Sequence, residues 1–545
     1  MTARGRGSFW TCVPLALVAC APAVVAPPVA AVAVVAPPVA VPPPPPPRAA
    51  AKPEPVRQPP LQPREPVPDE PFRAHAPALT PIVEVLDPPP RVTTLANGLR
   101  VVLFPRHAVP LAEVRLVIDR GALDLGDLGG LAVNETEDFF RRLGDDAVYE
   151  EVSTKLSAVG GCWESGHSHD GVWVAVKIPS AGLDAAVAAL SRGFVHAFLA
   201  PAEHEMRSRE WTHVAGSAAI TAEHAERLIL FGTRHPYGYG GEGATPISQQ
   251  AAQKVHDQLF QPAHATLVVV GDVDAAALDA SVTRQFGAWV GWKPVAKVRV
   301  APPEVPATPV LVAAPAVPAA RHVMNGRRAS PSPSAPQPAA SPLLARLSVV
   351  SNSAADQRYG AVIARGPAPT SADLDAFRLA VELIGGAVSS TLYERLRQDG
   401  DALSLSAGVE VERTATWLEL GAYYAPRKAV DGVEQVLRAI RAVRTGAVTD
   451  SDITTAREAL LGSFRAHMAT VEGAASLYSQ GGAQDLERVR NFPARLARIR
   501  RSDVIRVANT YLRAEALHVL FVGNSSELDV APLGLGPAVT IMQAP

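Results

Sequence analysis

Proline is spread unevenly along this chain, and its distribution fixes where packed structure can form. Of 51 prolines in 545 residues, 25 fall before residue 91 and 11 between residues 301 and 345. Proline has no N–H to donate and holds φ near one value, so such stretches join neither helices nor sheet ladders. The remaining 15 prolines are an ordinary share for the rest of the chain. Two globular stretches are therefore expected, at 91–298 and 346–530, with Pro/Ala-rich segments at 20–90 and 299–345 and a short tail at 531–545. The first segment holds six consecutive prolines at 42–47. As polyproline II, at about 3.1 Å per residue, it reaches roughly 200 Å.

The first twenty residues read as an address. Arg4 and Arg6 precede an apolar run, Phe9 to Val18, too short to span a bilayer as a helix. It ends in Leu17-Val18-Ala19-Cys20, which resembles a bacterial lipoprotein signal. That resemblance implies removal of residues 1–19, lipidation at Cys20 and a tethered domain in the cell envelope. Ala21 after the cysteine points to the outer membrane, facing the periplasm. After processing, only Cys162 of the three cysteines keeps its thiol, so no intrachain disulfide framework is expected. Lys plus Arg number 51 against 53 Asp plus Glu. That balance argues against a nucleic-acid partner bound by bulk charge.

The two globular stretches show a similar order of strand and helix patterns. Each closes on a buried strand ending in a turn, Val270-Gly271-Asp272 and Val522-Gly523-Asn524. Arg209-Glu210 and Arg457-Glu458 sit in parallel positions on helices. The expected fold is α+β: two homologous domains, each a mixed β-sheet with helices packed on one face.

Leu95-Ala96-Asn97-Gly98-Leu99-Arg100, followed by Gly129-Gly130-Leu131-Ala132, resembles the insulinase, or mitochondrial-processing-peptidase, family of zinc peptidases. His235-Pro236-Tyr237-Gly238 resembles its mid-domain turn, and Val268-Val269-Val270-Gly271-Asp272 its closing strand. In the second stretch Gly385-Gly386, Ser389-Ser390, Leu392-Tyr393 and Leu396-Arg397 resemble its non-catalytic domain. The resemblance implies a chamber for peptides between such domains, and an extended peptide added to a sheet edge. It also implies a helical His-x-x-Glu-His motif. Its two His, four apart on one face, hold zinc, and its Glu is the general base.

Here those positions hold other residues. The two His positions are Val133 and Glu137, and the base position is Thr136. Valine has no lone pair for zinc. Threonine is no base near neutral pH. Glu135 and Asp138 add acid to the segment without supplying imidazole. For a third ligand the spacing offers Glu210, which reads equally as a solvated helix residue. Of the family's Arg-Tyr pair, Arg397 remains while the Tyr position falls on Leu403 or Ser404. Glu164 stands where the family has a substrate-contacting Asn.

His167-Ser168-His169-Asp170 reads as a polar strand edge, on which two imidazoles two apart would share a face. Cys162, between glycines and Trp163, reads as a small buried residue. The sequence therefore describes a lipid-anchored, non-catalytic insulinase-like protein that needs no cofactor. It would partner an active family subunit in a heterodimer, or itself in a homodimer, or act as a peptide-binding scaffold. Two other readings stay open: an active metallopeptidase with substituted ligands, and an envelope lipoprotein without a peptidase partner. After zinc exposure and dialysis, the chain from residue 85 onward should retain well under one zinc per molecule by elemental analysis. Stoichiometric zinc would place the ligands elsewhere in the chain.

Overall fold

The computed structural model describes residues 87–125, 140, 142–215, 218–232, 235–238, 247–291, 346–351, 358–386, 390, 392–393, 396, 402–425, 427–480, 485–524 and 528–542. Residues 87–542 belong to one compact unit built on two six-stranded sheets.

The first sheet contains β1 (Arg91–Thr94), β2 (Arg100–Pro105), β3 (Leu111–Ile118), β4 (Cys162–His167), β5 (Val172–Pro179) and β6 (Ala265–Gly271), in the order β1-β2-β6-β3-β5-β4. The second contains β7 (Leu347–Ser351), β8 (Arg358–Arg365), β9 (Ala402–Val411), β10 (Thr416–Tyr424), β11 (His518–Gly523) and β12 (Val539–Met542), in the order β12-β7-β11-β8-β10-β9. Apart from β1 and β12, the two orders correspond strand for strand. In each sheet the closing strand lies parallel to the first strand of the common set, β6 to β2 and β11 to β7. The other pairings of that set are antiparallel. Gly271 and Gly523 end the two closing strands with φ of 143° and 152°. A Cβ on Gly271 would lie 2.2 Å from the Leu111 carbonyl oxygen, so only glycine fits this close strand crossing.

The first half carries α1 (Asp146–Ala158), α2 (Leu183–Leu190), α3 (Pro201–Ala215), α4 (Ala218–Phe231), α5 (Gln249–Leu259) and α6 (Ala275–Phe286). The second carries α7 (Leu374–Val381), α8 (Ala429–Thr445), α9 (Asp450–Met468), α10 (Val471–Tyr478), α11 (Leu486–Arg490), α12 (Phe492–Ala497) and α13 (Arg501–Tyr511). Side-chain caps fix several starts. Asp145 accepts the N–H of Ala147 at 2.8 Å, and Asp274 accepts that of Ala277 at 2.8 Å. Thr449 and Asp452 form a reciprocal capping box at α9.

The halves interlock. α4 of the first half packs on β7, β8 and β11, while α10 of the second packs on β3 and β6. Alternate residues of each central strand therefore enter different cores. Val101 and Leu103 join the first, and Val102 and Phe104 the second. Likewise Leu520 and Val522 join the first core, and Val519 and Phe521 the second. Burial on both faces explains why these strands read as unbroken apolar runs rather than alternating ones. Phe104 stacks on Tyr478 of α10 with ring centroids 3.8 Å apart.

Several expectations change. Among the described residues the faces on which the halves meet are filled by side chains of the two shared cores, which leaves no chamber there. The tether was placed up to residue 90. Asp87, however, is already buried, held by Arg106 at 2.6 and 2.7 Å, by the Tyr478 hydroxyl at 3.1 Å and by Arg490 through its carbonyl. The tail at 531–545 supplies β12, paired parallel to β7. The apolar pattern from Leu183 to Phe198 reads as one helix, but α2 ends at Leu190 and continues as a π-helical turn, Ser191–Val195. In that turn a Cβ on Gly193 would come within 2.9 Å of Leu143. The sequence also reads as helical at 127–143 and 389–398, and these segments fall mostly outside the described residues.

Because Phe104 is fully buried between the halves, Phe104→Ala should cost about 3–5 kcal/mol. In urea denaturation the loss should appear as one shifted transition for both halves. A second transition left unmoved would show that the halves fold separately.

Candidate functional site

β4 is the last strand of its sheet among the described residues, so it is the strand placed to accept an added one. Glu164 stands on it with its side chain 62% exposed. Arg115, on β3, is buried. Its guanidinium bonds Glu113 at 2.9–3.0 Å, approaches Glu164 at 3.4 Å and covers the Trp173 ring at 4.2 Å. Burial pushes the Glu113 carboxyl up, against the pull of Arg115. Cys162 at the start of β4 is exposed rather than buried, because the outward face of an edge strand has no neighbour to cover it.

Val133, Thr136 and Glu137, with Glu135 and Asp138, lie outside the described residues, as do Arg397 and Cys20. Glu210 sits on α3, more than half exposed. It bonds Arg207 at 2.6 Å, and the same guanidinium reaches the buried Glu203 at 2.8 Å. That carboxylate is the outer member of a helix-surface ion pair. Among the described residues no group of three or more His, Cys, Asp or Glu is arranged to hold a metal. A zinc site of this family needs two imidazoles and a carboxylate. The residues present do not fit it, since Val133 offers no donor atom and Glu210 is committed to Arg207.

The most elaborate polar arrangement lies elsewhere, where the β4–β5 turn meets the β9–β10 turn. His169 is not on β4 beside His167. It lies in the turn beyond the strand's end, so the two do not form the shared face expected of a strand pair. Glu412 accepts from the His169 N–H at 3.0 Å and faces its Nδ1 at 3.1 Å. It also accepts the Ser168 hydroxyl at 3.1 Å. Asp170 accepts the Arg413 N–H at 2.6 Å and the Tyr237 hydroxyl. The Thr414 hydroxyl reaches the Tyr237 oxygen at 3.2 Å, and the Arg413 guanidinium binds Asp124 at 2.8 Å. Tyr237, from the His-Pro-Tyr-Gly turn, is fully buried.

Burial and the nearby Glu412 charge raise the Asp170 carboxyl to about 7, despite the Tyr237 and Arg413 bonds. Burial alone would raise Glu412, but the bonds from His169 and Ser168 outweigh it and hold it low. Burial lowers His169, and lowers His235 to about 4.

Residues 246–460 match the family model described as "Peptidase M16 inactive domain". No curated protein matches the chain. Among solved structures, a protease from Helicobacter pylori superposes with a TM-score of 0.65 at 16% identity, over 80% of this chain and 100% of that one. An M16-like peptidase from Alicyclobacillus acidocaldarius gives 0.63 at 16% identity, over 81% and 100%. An M16 inactive domain from Pseudomonas fluorescens gives 0.62 at 15% identity, over 80% and 98%. At these identities the structural likeness concerns the fold, over 80–81% of this chain.

Asp170 has a folded value near 7, above its ordinary 3.8, so the fold holds its proton more tightly than the unfolded chain does. Its stabilising contribution is complete below about pH 4 and is lost as pH rises through about 7. Asp170→Asn should remove that slope. Between pH 4 and 7 the variant should gain on the wild type by about 1 kcal/mol per pH unit in urea titrations. Parallel pH profiles would show that Asp170 does not titrate in this range.

Proposed function

We propose that the chain is a non-catalytic subunit of the M16, or insulinase, family of peptidases, whose inactive-domain model matches residues 246–460 and whose fold it shares. It would work beside an active zinc peptidase of the same family, held to the bacterial envelope by lipid on Cys20. The observation that carries this reading is the residue set at the metal positions. Val133 and Glu137 stand where two imidazoles are needed, and Thr136 stands where the general base is needed. Restoring zinc hydrolysis would take three simultaneous replacements.

The packing supports a partner. Each half fills the face of the other, so any enclosed space for a peptide has to form between this chain and a second one. Two interlocked halves would then supply one wall. β4 would supply a strand edge to which an extended peptide adds by main-chain hydrogen bonds, with Glu164 beside it. The segment 20–90 would hold that wall away from the membrane, with Leu17-Val18-Ala19-Cys20 directing the chain to the outer membrane on its periplasmic side.

The test uses the full chain and a chain from the same cell with an intact His-x-x-Glu-His helix. Alone, this chain should cleave no peptide. Mixed with the active chain, it should co-elute as a heterodimer and raise kcat/KM for peptides by about tenfold or more. Chelator-sensitive cleavage by this chain alone would overturn the reading. With Cys20→Ser the chain should leave the membrane fraction and keep its fold.

A further inference from the structure

At the meeting of the β4–β5 and β9–β10 turns, hydrogen bonds run in series from one half of the chain to the other. The Tyr237 N–H donates to His235 Nδ1 at 3.1 Å. The Tyr237 hydroxyl donates to Asp170 Oδ2, and that oxygen also accepts the Arg413 N–H at 2.6 Å. Beside this series, Glu412 takes the His169 N–H, its Nδ1 and the Ser168 hydroxyl. The first half contributes residues 168–170 and 235–237, and the second contributes 412–414.

The bonds fix opposite tautomers on the two rings. His235 Nδ1 accepts, so its hydrogen sits on Nε2. His169 Nδ1 faces a carboxylate, so it carries the hydrogen and Nε2 keeps the lone pair. Both Nε2 atoms are buried without a hydrogen-bond partner, and both rings lie against Tyr237, with centroids 4.7 and 5.1 Å away. A second proton therefore has no accommodating place on either ring. On His235 it enters at Nδ1, the atom that receives the Tyr237 N–H. On His169 it enters at Nε2, in an aromatic wall that includes Trp417 at 5.8 Å.

We propose that this seam is an acid-released latch between the two halves: protonation of His235 and His169 breaks the series and frees the 412–414 turn from the 168–170 turn. Because these turns end β4–β5 and β9–β10, the latch sets the position of edge strand β4 relative to edge strand β9.

Every neighbouring element contributes to the balance. Arg227 of α4 opposes a proton on His169, while Glu223 of α4 and Glu412 favour one. Arg365 of β8 opposes a proton on His235, as does His169 itself. Arg413 is shared between Asp170 and Asp124, and Asp119 lies close to Arg413, Asp124 and Arg120. On acidification Asp170 takes its proton first, near pH 7, which by itself favours the closed seam and is what protonation of the two imidazoles has to outweigh. The rings follow, His235 at about 4.

The test is hydrogen exchange on the full chain at about pH 7.5 and about pH 4.5, corrected for the intrinsic pH dependence of exchange. In the wild type, protection of peptides covering 166–171 and 411–416 should fall at least about tenfold at the lower pH, while β6 keeps its protection. In a His169→Asn, His235→Gln double variant, Asn still donates to Glu412 and Gln still accepts from Tyr237, but neither titrates. Its two turns should stay protected at both pH values. The latch is overturned if the wild-type turns are equally protected at both pH values, if β6 opens together with them, or if the double variant keeps the acid loss. Nitrogen NMR of the wild-type imidazoles at neutral pH gives a check that does not depend on any variant folding. It should show the Nδ1–H tautomer at His169 and Nε2–H at His235, and the reverse assignment would also overturn the latch.

Discussion

Mutual burial of the two sheets is the constraint from which the rest of the molecule follows. Each sheet packs its own helices on one face and receives a helix of the other half on the opposite face, α4 on the second sheet and α10 on the first. Central strands buried on both sides need apolar residues at successive positions, which Val101 to Phe104 and Leu267 to Val270 supply. Neither half could expose that second face to water without uncovering an apolar patch larger than a soluble monomer usually tolerates. The shared faces hold the halves together.

The same arrangement sorts polar chemistry to the margins. Where the sheets overlap, the contact is apolar and stacked, as at Phe104 and Tyr478. Where the turns meet beyond the strand ends, charged and hydroxyl groups take over, and nearly every one is used. Asp170, Glu412, Arg413 and Tyr237 are costly to bury singly and acceptable only as a bonded set. Asp87 plays a similar part at the opposite end of the sequence. It holds the start of the folded chain against both halves through Arg106, Tyr478 and Arg490.

The fold matches that of M16-like peptidases of known structure, while Val133, Thr136 and Glu137 stand where the sequence resemblance implies zinc ligands and a general base. The core of a two-half fold depends on patterns of size and polarity, which many sequences satisfy. A zinc site depends on particular nitrogen and oxygen atoms within a few tenths of an ångström. The first can survive at 15–16% identity to solved relatives, whereas the second is lost with a change such as Val at position 133. At the sheet edge, β4 carries the exposed Glu164.

Much of this was legible in the sequence. The strand and helix patterns of the two globular stretches carried the α+β class. The two Gly-terminated closing strands revealed the repeat, since a close strand crossing demands glycine wherever it recurs. Short elements such as β1, β7 and β12 were missed, because four or five residues carry too little periodicity. The orientation of His169 was missed because a turn, not the strand pattern, directs it toward Glu412. Glu210 had the right residue type, but the sequence could not show that Arg207 already holds it. The sequence by itself determined the fold class and its internal repeat, because these depend on local composition and residue identity. Only the tertiary structure decided that the halves cover each other's sheets, that Asp87 lies inside, and that His169, Asp170, Tyr237 and Glu412 share one seam. Those outcomes depend on contacts between residues up to several hundred positions apart, which no local pattern encodes.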